Sequence, residues 1–517
     1  MHLCYHFCEA SEHVSSFGAG SQDCKRGRLV VNLTIDRAVH ASYNPSVRGL
    51  NVPEREQQNQ QYDAIIVGAG PAGIFAALEL ADSGLRVLLM EKGRDLEDRI
   101  CPIAGRAEGC VSCRPCSMVS GFGGAGAYSD GKLTLSPDVG GLLDRLLEPD
   151  TLPQLIEYVD SRYVHFGAPD RVFGVGPAVD PLVNRAMLAG LRLVPLRLRH
   201  LGCEYCRRVL EEMRAHLRSR VDIRVNTSVT DIRCDGRRIV GISTSTGERV
   251  DCRYVICAPG REGAEWLTCL ARRQGLSMEA NPVDVGVRVE VPAQVTDELC
   301  RVLYEAKLEY YSKTFDDRVR TFCMCPNGDV VMEATGGDDP VVTVNGVGYA
   351  EHSTPNTNFA VLVSTSFTEP FHEPIAYGKY LARLANLVSG GVLVQRLGDL
   401  LEGRRSTEER ISRSLVRPSL QAATPGDLSF VLPYRYLTDI VEMLKVLDRI
   451  APGIASPHTL LYGIEVKFYS GRLDLSPCLE TAIENLFAVG DGAGVSRGLV
   501  QASVSGVVAA REIMRRG

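Results

Sequence analysis

A glycine-rich turn between an apolar strand and an apolar helix constrains the fold of this chain more than any other feature. The strand runs over Ala64–Val67, the turn covers Gly68–Gly73 (GAGPAG), and the helix follows over Ile74–Ala81. A second apolar strand, Val87–Met90, ends at the acidic residue Glu91. This order of strand, turn, helix, strand and acid is typical of the βαβ opening of a Rossmann-type dinucleotide-binding domain.

The residue types in this turn fit the binding of a pyrophosphate. Gly68 permits a tight turn, Gly70 lets the backbone approach the phosphates, and Gly73 allows the helix to pack closely on the strand. The free N–H groups and the dipole at the helix N-terminus favour negative charge. Glu91 would accept hydrogen bonds from the hydroxyls of an adenosine ribose. The predicted contact residues of this first part of the site are Gly68, Gly70, Pro71, Ala72, Gly73, Glu91 and Lys92.

A second glycine turn lies near the C-terminus. The segment Thr481–Asp491 (TAIENLFAVGD) resembles the second fingerprint of FAD enzymes, in which the aspartate binds a ribityl hydroxyl. The resemblance implies that Gly490 and Asp491 contact FAD, and that the helix beginning at Leu499 directs its N-terminal dipole towards the flavin. The alternative for this segment is an ordinary Asp-Gly turn without a ligand.

Five further segments carry a resemblance to a known family. They are similar to the large bacterial family of uncharacterised FAD-dependent dehydrogenases, whose FAD domain is of the glutathione-reductase type. The resemblance runs from about Tyr62 to the C-terminus and implies FAD and redox chemistry, without a defined substrate. We expect additional backbone contacts to the cofactor from Gly124, Val229 and Gly260. The segments are Gly121–Leu133 (GFGGAGAYSDGKL), Asp317–Gly328 (DRVRTFCMCPNG), Asn356–Ala360 (NTNFA), Gly403–Ser406 (GRRS) and Phe487–Gln501 (FAVGDGAGVSRGLVQ).

The predicted fold class is α/β, with a discontinuous Rossmann-type FAD-binding domain and a mixed α+β substrate or cap domain. Within the FAD-binding domain, 224–232 reads as one strand, and the first helix is expected to stop at Gly84. The segments are predicted as follows: a poorly ordered leader at 1–60, FAD-binding parts at 61–135, 200–285 and 455–517, a helical connection at 136–199, and the cap at 286–454.

A cluster of cysteines lies within the first FAD-binding part, at 61–135. Cys101, Cys110, Cys113 and Cys116 fall within 16 residues, which suits a [4Fe–4S] cluster or a structural zinc ion. A redox-active dithiol and the absence of any metal are the other interpretations, because the chain also uses cysteine freely elsewhere. No metal is therefore assigned from the sequence.

Three residues are candidates for substrate chemistry. His200 could carry a proton near neutral pH, although a single histidine is more often structural. Lys467, two residues after Glu465 on a predicted strand, could reach the flavin edge or could form a surface ion pair. Arg497 could bind a carboxylate substrate or the flavin, or it could be a solvated side chain. The sequence does not choose between these alternatives.

Composition narrows the function further. The net charge is −6 and the chain has no long basic block, which argues against a nucleic acid partner. It also has no apolar run of 18 residues, which argues against a membrane partner and favours a cytoplasmic location. A second Rossmann fingerprint and a CxxxxC pair are both missing, which argues against a disulfide reductase. We therefore expect an FAD-dependent oxidoreductase that transfers a hydride between a small-molecule substrate and flavin N5, with the electron acceptor open. A flavin-dependent tRNA modification factor and a non-catalytic FAD-binding regulator are the alternatives.

Overall fold

The computed structural model describes residues 61–102, 113–279, 281–335, 340–365 and 373–517. The predicted leader at 1–60 lies outside these residues. Among the described residues, no helix is long and apolar enough to cross a membrane. The α-helices of the described residues are α1 Pro71–Leu80, α2 Thr151–His165, α3 Val179–Ala189, α4 Gly202–Leu217, α5 Ala264–Arg273, α6 Ala293–Leu303, α7 Pro374–Ser389, α8 Leu397–Leu401, α9 Glu408–Ser412, α10 Tyr434–Leu447 and α11 Leu499–Arg516.

The strands lie between these helices, often several in succession. Short 3₁₀ turns lie at Gly124–Tyr128 and Asp491–Ala493. The strands are β1 Gln61–Val67, β2 Val87–Met90, β3 Lys132–Thr134, β4 Val172–Phe173, β5 Arg192–Val194, β6 Leu198–His200, β7 Asp222–Arg224, β8 Val229–Asp235, β9 Arg238–Thr244, β10 Arg249–Cys257, β11 Met278–Glu279, β12 Val283–Pro292, β13 Lys307–Tyr311, β14 Arg318–Cys325, β15 Asp329–Thr335, β16 Val341–Val347, β17 Asn356–Thr365, β18 Leu393–Arg396, β19 Thr424–Pro425, β20 Leu460–Lys467, β21 Arg472–Leu473 and β22 Leu486–Ala488.

The first large sheet carries both glycine turns at the ends of its strands. Its parallel strands lie in the order β7, β2, β1, β10 and β22, and the β8–β9 hairpin pairs with the beginning of β10. Every residue of β2 and the last four of β1 are buried, as expected for a parallel sheet covered on both faces. Because parallel strands end at the same edge, the turn after β1 and the turn after β22 come together there.

Helix α11 packs on α1 at unusually close range. A Cβ atom added at Gly506 would lie 2.0 Å from the carbonyl oxygen of Ala72, so only glycine allows this approach. The contact brings the C-terminal helix onto the first helix of the domain. It therefore fixes the second glycine turn against the first, although more than 400 residues separate them in the sequence.

The second large sheet is mainly antiparallel, in the order β19, β18, β20, β12, β17, β14, β13 and β5. Its central strands are long and almost completely buried, and they include charged residues such as Arg288 and Glu465. Helices α7 and α10 cover it. The predicted fold class, a Rossmann-type domain with a mixed α+β domain, is confirmed.

Several local predictions differ from the structure. The expected strand over 224–232 is interrupted between β7 and β8, because Asn226 takes a positive φ of 52° and its N–H donates to Gly93 O. Helix α1 ends at Leu80, one residue before the predicted end at Ala81, and Gly84 beyond it takes the left-handed conformation expected of a helix stop, with a φ of 78°. Strand β20 belongs to the second sheet, where it pairs with β12 and β18. It lies within residues 455–517, which were predicted to be part of the FAD-binding domain. The division into domains otherwise stays a prediction.

Candidate functional site: converging glycine turns and a buried polar network

Two glycines of the first turn are required by contacts within the protein. Gly68 has a φ of 104°, and a Cβ atom there would lie 2.2 Å from the carbonyl oxygen of Ala258. A Cβ atom at Gly73 would lie 1.9 Å from the carbonyl oxygen of Gly68. Both distances are far below any tolerable contact, so these glycines shape the turn itself and need no ligand to explain them.

Gly70 is different, because nothing in the described protein fills the space beside it. Its backbone is extended, with φ −79° and ψ −176°, and the nearest atom to an added Cβ is Gly124 Cα at 4.0 Å. Gly70 is also the N-cap residue of α1, and no side chain caps this end or adds an acid to its first turn. An open N-terminus next to an unfilled glycine fits an anionic group such as a pyrophosphate.

The glycine-rich loop Gly121–Tyr128 lies directly on this turn. The N–H of Gly123 donates to Ala69 O at 2.8 Å, and a Cβ atom at Gly124 would be 3.0 Å from Gly70 Cα. Arg99, which is 2% exposed, holds the loop by donating to Phe122 O at 2.7 Å and to Gly124 O at 2.9 Å. No pattern in the sequence identifies Arg99, because its carbonyl partners lie 18 to 25 residues away.

Glu91 connects the two glycine segments. Its carboxylate accepts N–H groups from Ala69, Gly93 and Gly121, each at 2.9 Å. The Oε1 atom receives two of these bonds and Oε2 receives one, so Oε2 keeps capacity for a further donor. Its neighbour Lys92 forms an ion pair with Glu262. Ribose binding by Glu91 and Lys92 stays a prediction.

The second glycine turn meets the first one at α1. A Cβ atom at Gly490 would lie 3.1 Å from Ala72 Cβ, and one at Gly492 would lie 2.6 Å from Gly260 O. Asp491 accepts from Ser496 Oγ at 2.7 Å and from Arg261 Nε at 2.9 Å. The structure thus brings four turns together: Gly68–Gly73, Gly121–Tyr128, Ala258–Gly260 and Gly490–Gly494. Val229 begins β8, two residues after Thr227, whose N–H donates to Glu91 O.

The candidates His200 and Lys467 belong to one buried polar network, which links the loop after Tyr128 to the second sheet. At one end, Tyr304 Oη lies 2.8 Å from His200 Nε2. At the other end, Lys467 Nζ lies 2.9 Å from Glu465, and Glu465 contacts Arg288 at 3.3 Å. This placement corrects the surface ion-pair interpretation of Lys467, whose side chain is only 8% exposed.

The centre of this network is Lys132, which faces two thiols. Its ammonium lies 2.9 Å from Asp130, 3.6 Å from Cys323 Sγ and 3.8 Å from Cys325 Sγ. Burial opposes the charged form, but the neighbouring anions, Asp130 first, hold the pKa of Lys132 well above its ordinary value. Sequence spacing could not show these contacts, because Lys132 and the thiols lie about 190 residues apart.

Arg497 lies beside the second glycine turn. Its guanidinium stacks on the ring of Tyr469 at 3.9 Å, and its buried Nε has no hydrogen-bond partner among the described residues. Tyr469 in turn donates to Asp284 at 2.6 Å, and Asp284 also pairs with Arg320. Arg497 is therefore a cation with an unused donor at the junction of the two sheets. Its role towards substrate or flavin stays a prediction.

The cysteine cluster gives no support to an iron–sulfur site. Cys110 lies outside the described residues, and Cys101 and Cys116 pack beside the apolar side chains of Met118, Val331 and Val347. Within the described ranges, no group of three converging metal ligands includes Cys101, Cys113 or Cys116. The [4Fe–4S] interpretation is therefore left without support, and no metal is assigned to these residues.

The histidine of the network should make stability depend on pH. Burial lowers the pKa of His200 from 6.5 to about 4. Between these values the unfolded chain binds a proton that the folded chain does not bind, so stability falls as the pH decreases through this window. Over this range, the free energy of unfolding of wild type should fall by about 1–2 kcal/mol more than that of His200→Gln, because glutamine does not bind the proton. The difference is smaller than the whole pKa shift would give, because the ring is partly exposed. Denaturant unfolding at several pH values measures this difference, and parallel pH profiles would contradict it.

Comparisons with known proteins agree with these motifs. Residues 282–468 match the family described as FAD-dependent protein, C-terminal domain-like, and residues 63–97 match the FAD binding domain. A protein of Clostridium beijerinckii, named only as an uncharacterized protein, is 25% identical over 95% of this chain and 88% of its own length.

Solved structures show weaker similarity. Glycine oxidase from Geobacillus kaustophilus is 14% identical over 88% of this chain and 95% of that one, with a TM-score of 0.36. The 3-ketosteroid-delta4-(5alpha)-dehydrogenase from Rhodococcus jostii is 15% identical over 90% and 100%, with a TM-score of 0.39. Scores this low carry no conclusion about function. The two family matches confirm the predicted resemblance: one segment of this chain matches the FAD binding domain, and a longer one matches the C-terminal domain-like region of FAD-dependent proteins.

Proposed function

We propose that this chain is an FAD-dependent oxidoreductase that transfers a hydride between a small-molecule substrate and flavin N5. The observation that carries the proposal is Gly70, the one glycine of the first turn that no contact in the described protein explains. It lies at an uncapped helix N-terminus where two further glycine segments meet. A dinucleotide pyrophosphate explains this combination, and the family matches favour FAD as that dinucleotide.

Three groups of residues would bind different parts of FAD. The backbone at Gly70–Gly73 would hold the pyrophosphate, and Glu91 would use the free capacity of Oε2 for a ribose hydroxyl. Asp491, near the N-terminus of α11, would accept a ribityl hydroxyl in exchange for part of its contact with Arg261. These groups would serve one cofactor because Glu91 accepts the N–H of Ala69, and the Gly490 turn lies against Ala72 in the first turn of α1.

The second sheet would supply the substrate side of the site. Bound FAD supplies the atom that accepts or donates the hydride. The chain itself would position the substrate and hold protons. Arg497 offers an unused N–H donor to an anionic group, and Lys467 with Glu465 offers a buried proton-holding pair.

Asp491→Ala tests the cofactor site. We expect the dissociation constant for FAD to rise at least about 10-fold, equivalent to about 1.4 kcal/mol, because a charged acceptor is lost. Fluorescence titration of the full-length apoprotein measures this constant. Asp82→Ala is the control, because Asp82 is exposed and pairs only with Arg220 among the described residues. Unchanged FAD affinity in Asp491→Ala would remove this residue from the site.

Oxidoreductase chemistry is tested with the FAD-loaded protein under anaerobic conditions. Fractionated small-molecule extracts are added, and loss of the visible flavin absorbance identifies the fraction that donates a hydride. Dithionite-reduced protein is then mixed with candidate acceptors to follow its reoxidation. A flavin that neither bleaches with any fraction nor reoxidises with any acceptor would instead identify the chain as a non-catalytic FAD-binding protein.

A further inference from the structure

Two cysteines of the buried network stand at a distortion in strand β14. In a regular strand, residues i and i+2 lie about 6.6–6.8 Å apart, at the upper limit of Cα separations in disulfides. Cys323 departs from this geometry with a φ of 47°, and the pairing with β17 shifts between Phe322 and Cys325. As a result the two sulfur atoms lie within 4.8 Å of each other.

The distorted backbone is held in place by charged side chains from neighbouring segments. The N–H of Cys323 donates to Glu305 Oε1 at 3.1 Å, and its carbonyl accepts from Arg288 Nη2 at 2.6 Å. Arg288 is completely buried and also reaches Cys325 Sγ at 3.3 Å. The arrangement of the two thiols is therefore fixed by the fold and does not depend on a loop.

The charges around the sulfurs favour a thiolate over a metal ion. Asp130, Cys323 and Cys325 offer three converging ligand atoms, but Lys132 and Arg288 place two cations against the same sulfurs. A divalent cation would be repelled by both, whereas a thiolate is stabilised by them. The charged and titratable groups that face the pair are thus Asp130, Lys132 at the start of β3, Arg288 from β12, Glu305, and the phenols of Tyr304 and Tyr349.

The two thiols are not equivalent. The hydrogen bond from Cys325, with Lys132 and Arg288, outweighs burial and lowers the pKa of Cys323 to about 6. The same hydrogen bond and burial raise the pKa of Cys325 well above its ordinary value. Cys323 keeps part of its surface exposed, whereas Cys325 is completely buried and lies 3.7 Å from Asp130. Cys323 is therefore the thiol that can attack, and Cys325 is its buried, protonated partner.

We propose that Cys323 and Cys325 form a redox-active dithiol that exchanges an electron pair with small-molecule disulfides and dithiols. The Cys323 thiolate attacks an incoming disulfide, forming a mixed disulfide and expelling one thiolate. Cys325 then gives its proton to the thiolate expelled in the first step and attacks the Cys323 sulfur, which closes the Cys323–Cys325 disulfide and expels the second thiolate. Two protein thiols are oxidised and one external disulfide is reduced to two thiols, with protons supplied by Cys325 and the solvent.

The test uses the full-length protein equilibrated in mixtures of reduced and oxidised glutathione, then acid-quenched and alkylated. The tryptic peptide 321–379 carries Cys323 and Cys325 as its only cysteines. We expect this peptide to change reversibly from two alkyl groups to none, with an internal disulfide. Cys325→Ser should stop at a single glutathione on Cys323, and Cys323→Ser should leave Cys325 unmodified. Cys269 is the internal control, because it is exposed and belongs to no group of three converging ligand atoms among the described residues.

The pH dependence of alkylation adds a readout that does not require a disulfide. Wild-type Cys323 should reach half-maximal reactivity near pH 6, and Lys132→Gln should raise this midpoint by about one pH unit or more. The proposal is overturned if both cysteines remain alkylated in oxidising buffer, or if each carries its own glutathione. Stoichiometric zinc that is lost in Asp130→Ala would also overturn it.

Discussion

The Gly70→Val variant is expected to fold like the wild type and to lose FAD. Valine adds its side chain where the described protein leaves open space, since the nearest atom to the new Cβ is 4.0 Å away. The extended backbone at Gly70 accepts a β-branched residue, so the free energy of unfolding of the apoprotein should change by less than about 1 kcal/mol. The dissociation constant for FAD should rise at least about 100-fold, equivalent to about 2.7 kcal/mol, because the pyrophosphate can no longer approach.

Two other glycines make matched controls for this variant. Gly73→Ala places a Cβ atom 1.9 Å from the Gly68 carbonyl, so it should destabilise the folded protein by about 3 kcal/mol or more. Gly391→Ala meets only Met332 Sδ at 3.7 Å and should change neither stability nor FAD binding. Unfolding of the apoprotein and FAD titration are measured for all three. A Gly70→Val protein that binds FAD normally would refute the proposed approach of the cofactor.

The Glu465→Gln variant should cause a large loss of stability. The Glu465 carboxylate is completely buried between Arg288, also completely buried, and Lys467. Glutamine keeps the shape of the side chain but leaves two buried cations without this anion. Removing one partner of a buried ion pair costs about 3–5 kcal/mol, and we expect a loss in this range in denaturant unfolding.

The control for this variant is an ion pair at the surface. Glu211→Gln breaks the exposed pair with Arg207 and should cost less than about 0.5 kcal/mol. In the double variant Glu465→Gln with Lys467→Met, one of the two uncompensated cations is gone, so part of the stability should return. Equal losses for Glu465→Gln and Glu211→Gln would show that the network contributes little to the fold.

The features that the sequence could predict are local ones. The strand, turn and helix from Ala64 to Leu80 depend on neighbouring residues, because the apolar runs and the glycine spacing lie within one segment. The Gly490–Asp491 turn could be predicted for the same reason. The motif also assigned different roles to its three glycines, and their surroundings differ in the same way: Gly70 faces open space, whereas Gly68 and Gly73 lie against other backbone atoms.

The features that the sequence could not predict depend on contacts between distant segments. Arg99 stabilises the glycine-rich loop through carbonyl groups, which no side-chain pattern reveals. Lys132 contacts Cys323 across about 190 residues of sequence, at the point where β14 is distorted by the positive φ of Cys323. The pair Cys323 and Cys325 gives no signal in the sequence beyond its spacing, since the charges that surround it come from other strands.

FAD binding by the full-length chain, compared with NAD⁺ in the same calorimetric titration, tests the central claim most directly. We predict that one FAD binds per chain and that NAD⁺ binds far more weakly, because the turn at Gly490–Asp491 adds contacts to the flavin half of the cofactor. A chain that binds NAD⁺ more tightly than FAD, or that binds neither dinucleotide, would contradict the assignment of the four turns to an FAD site.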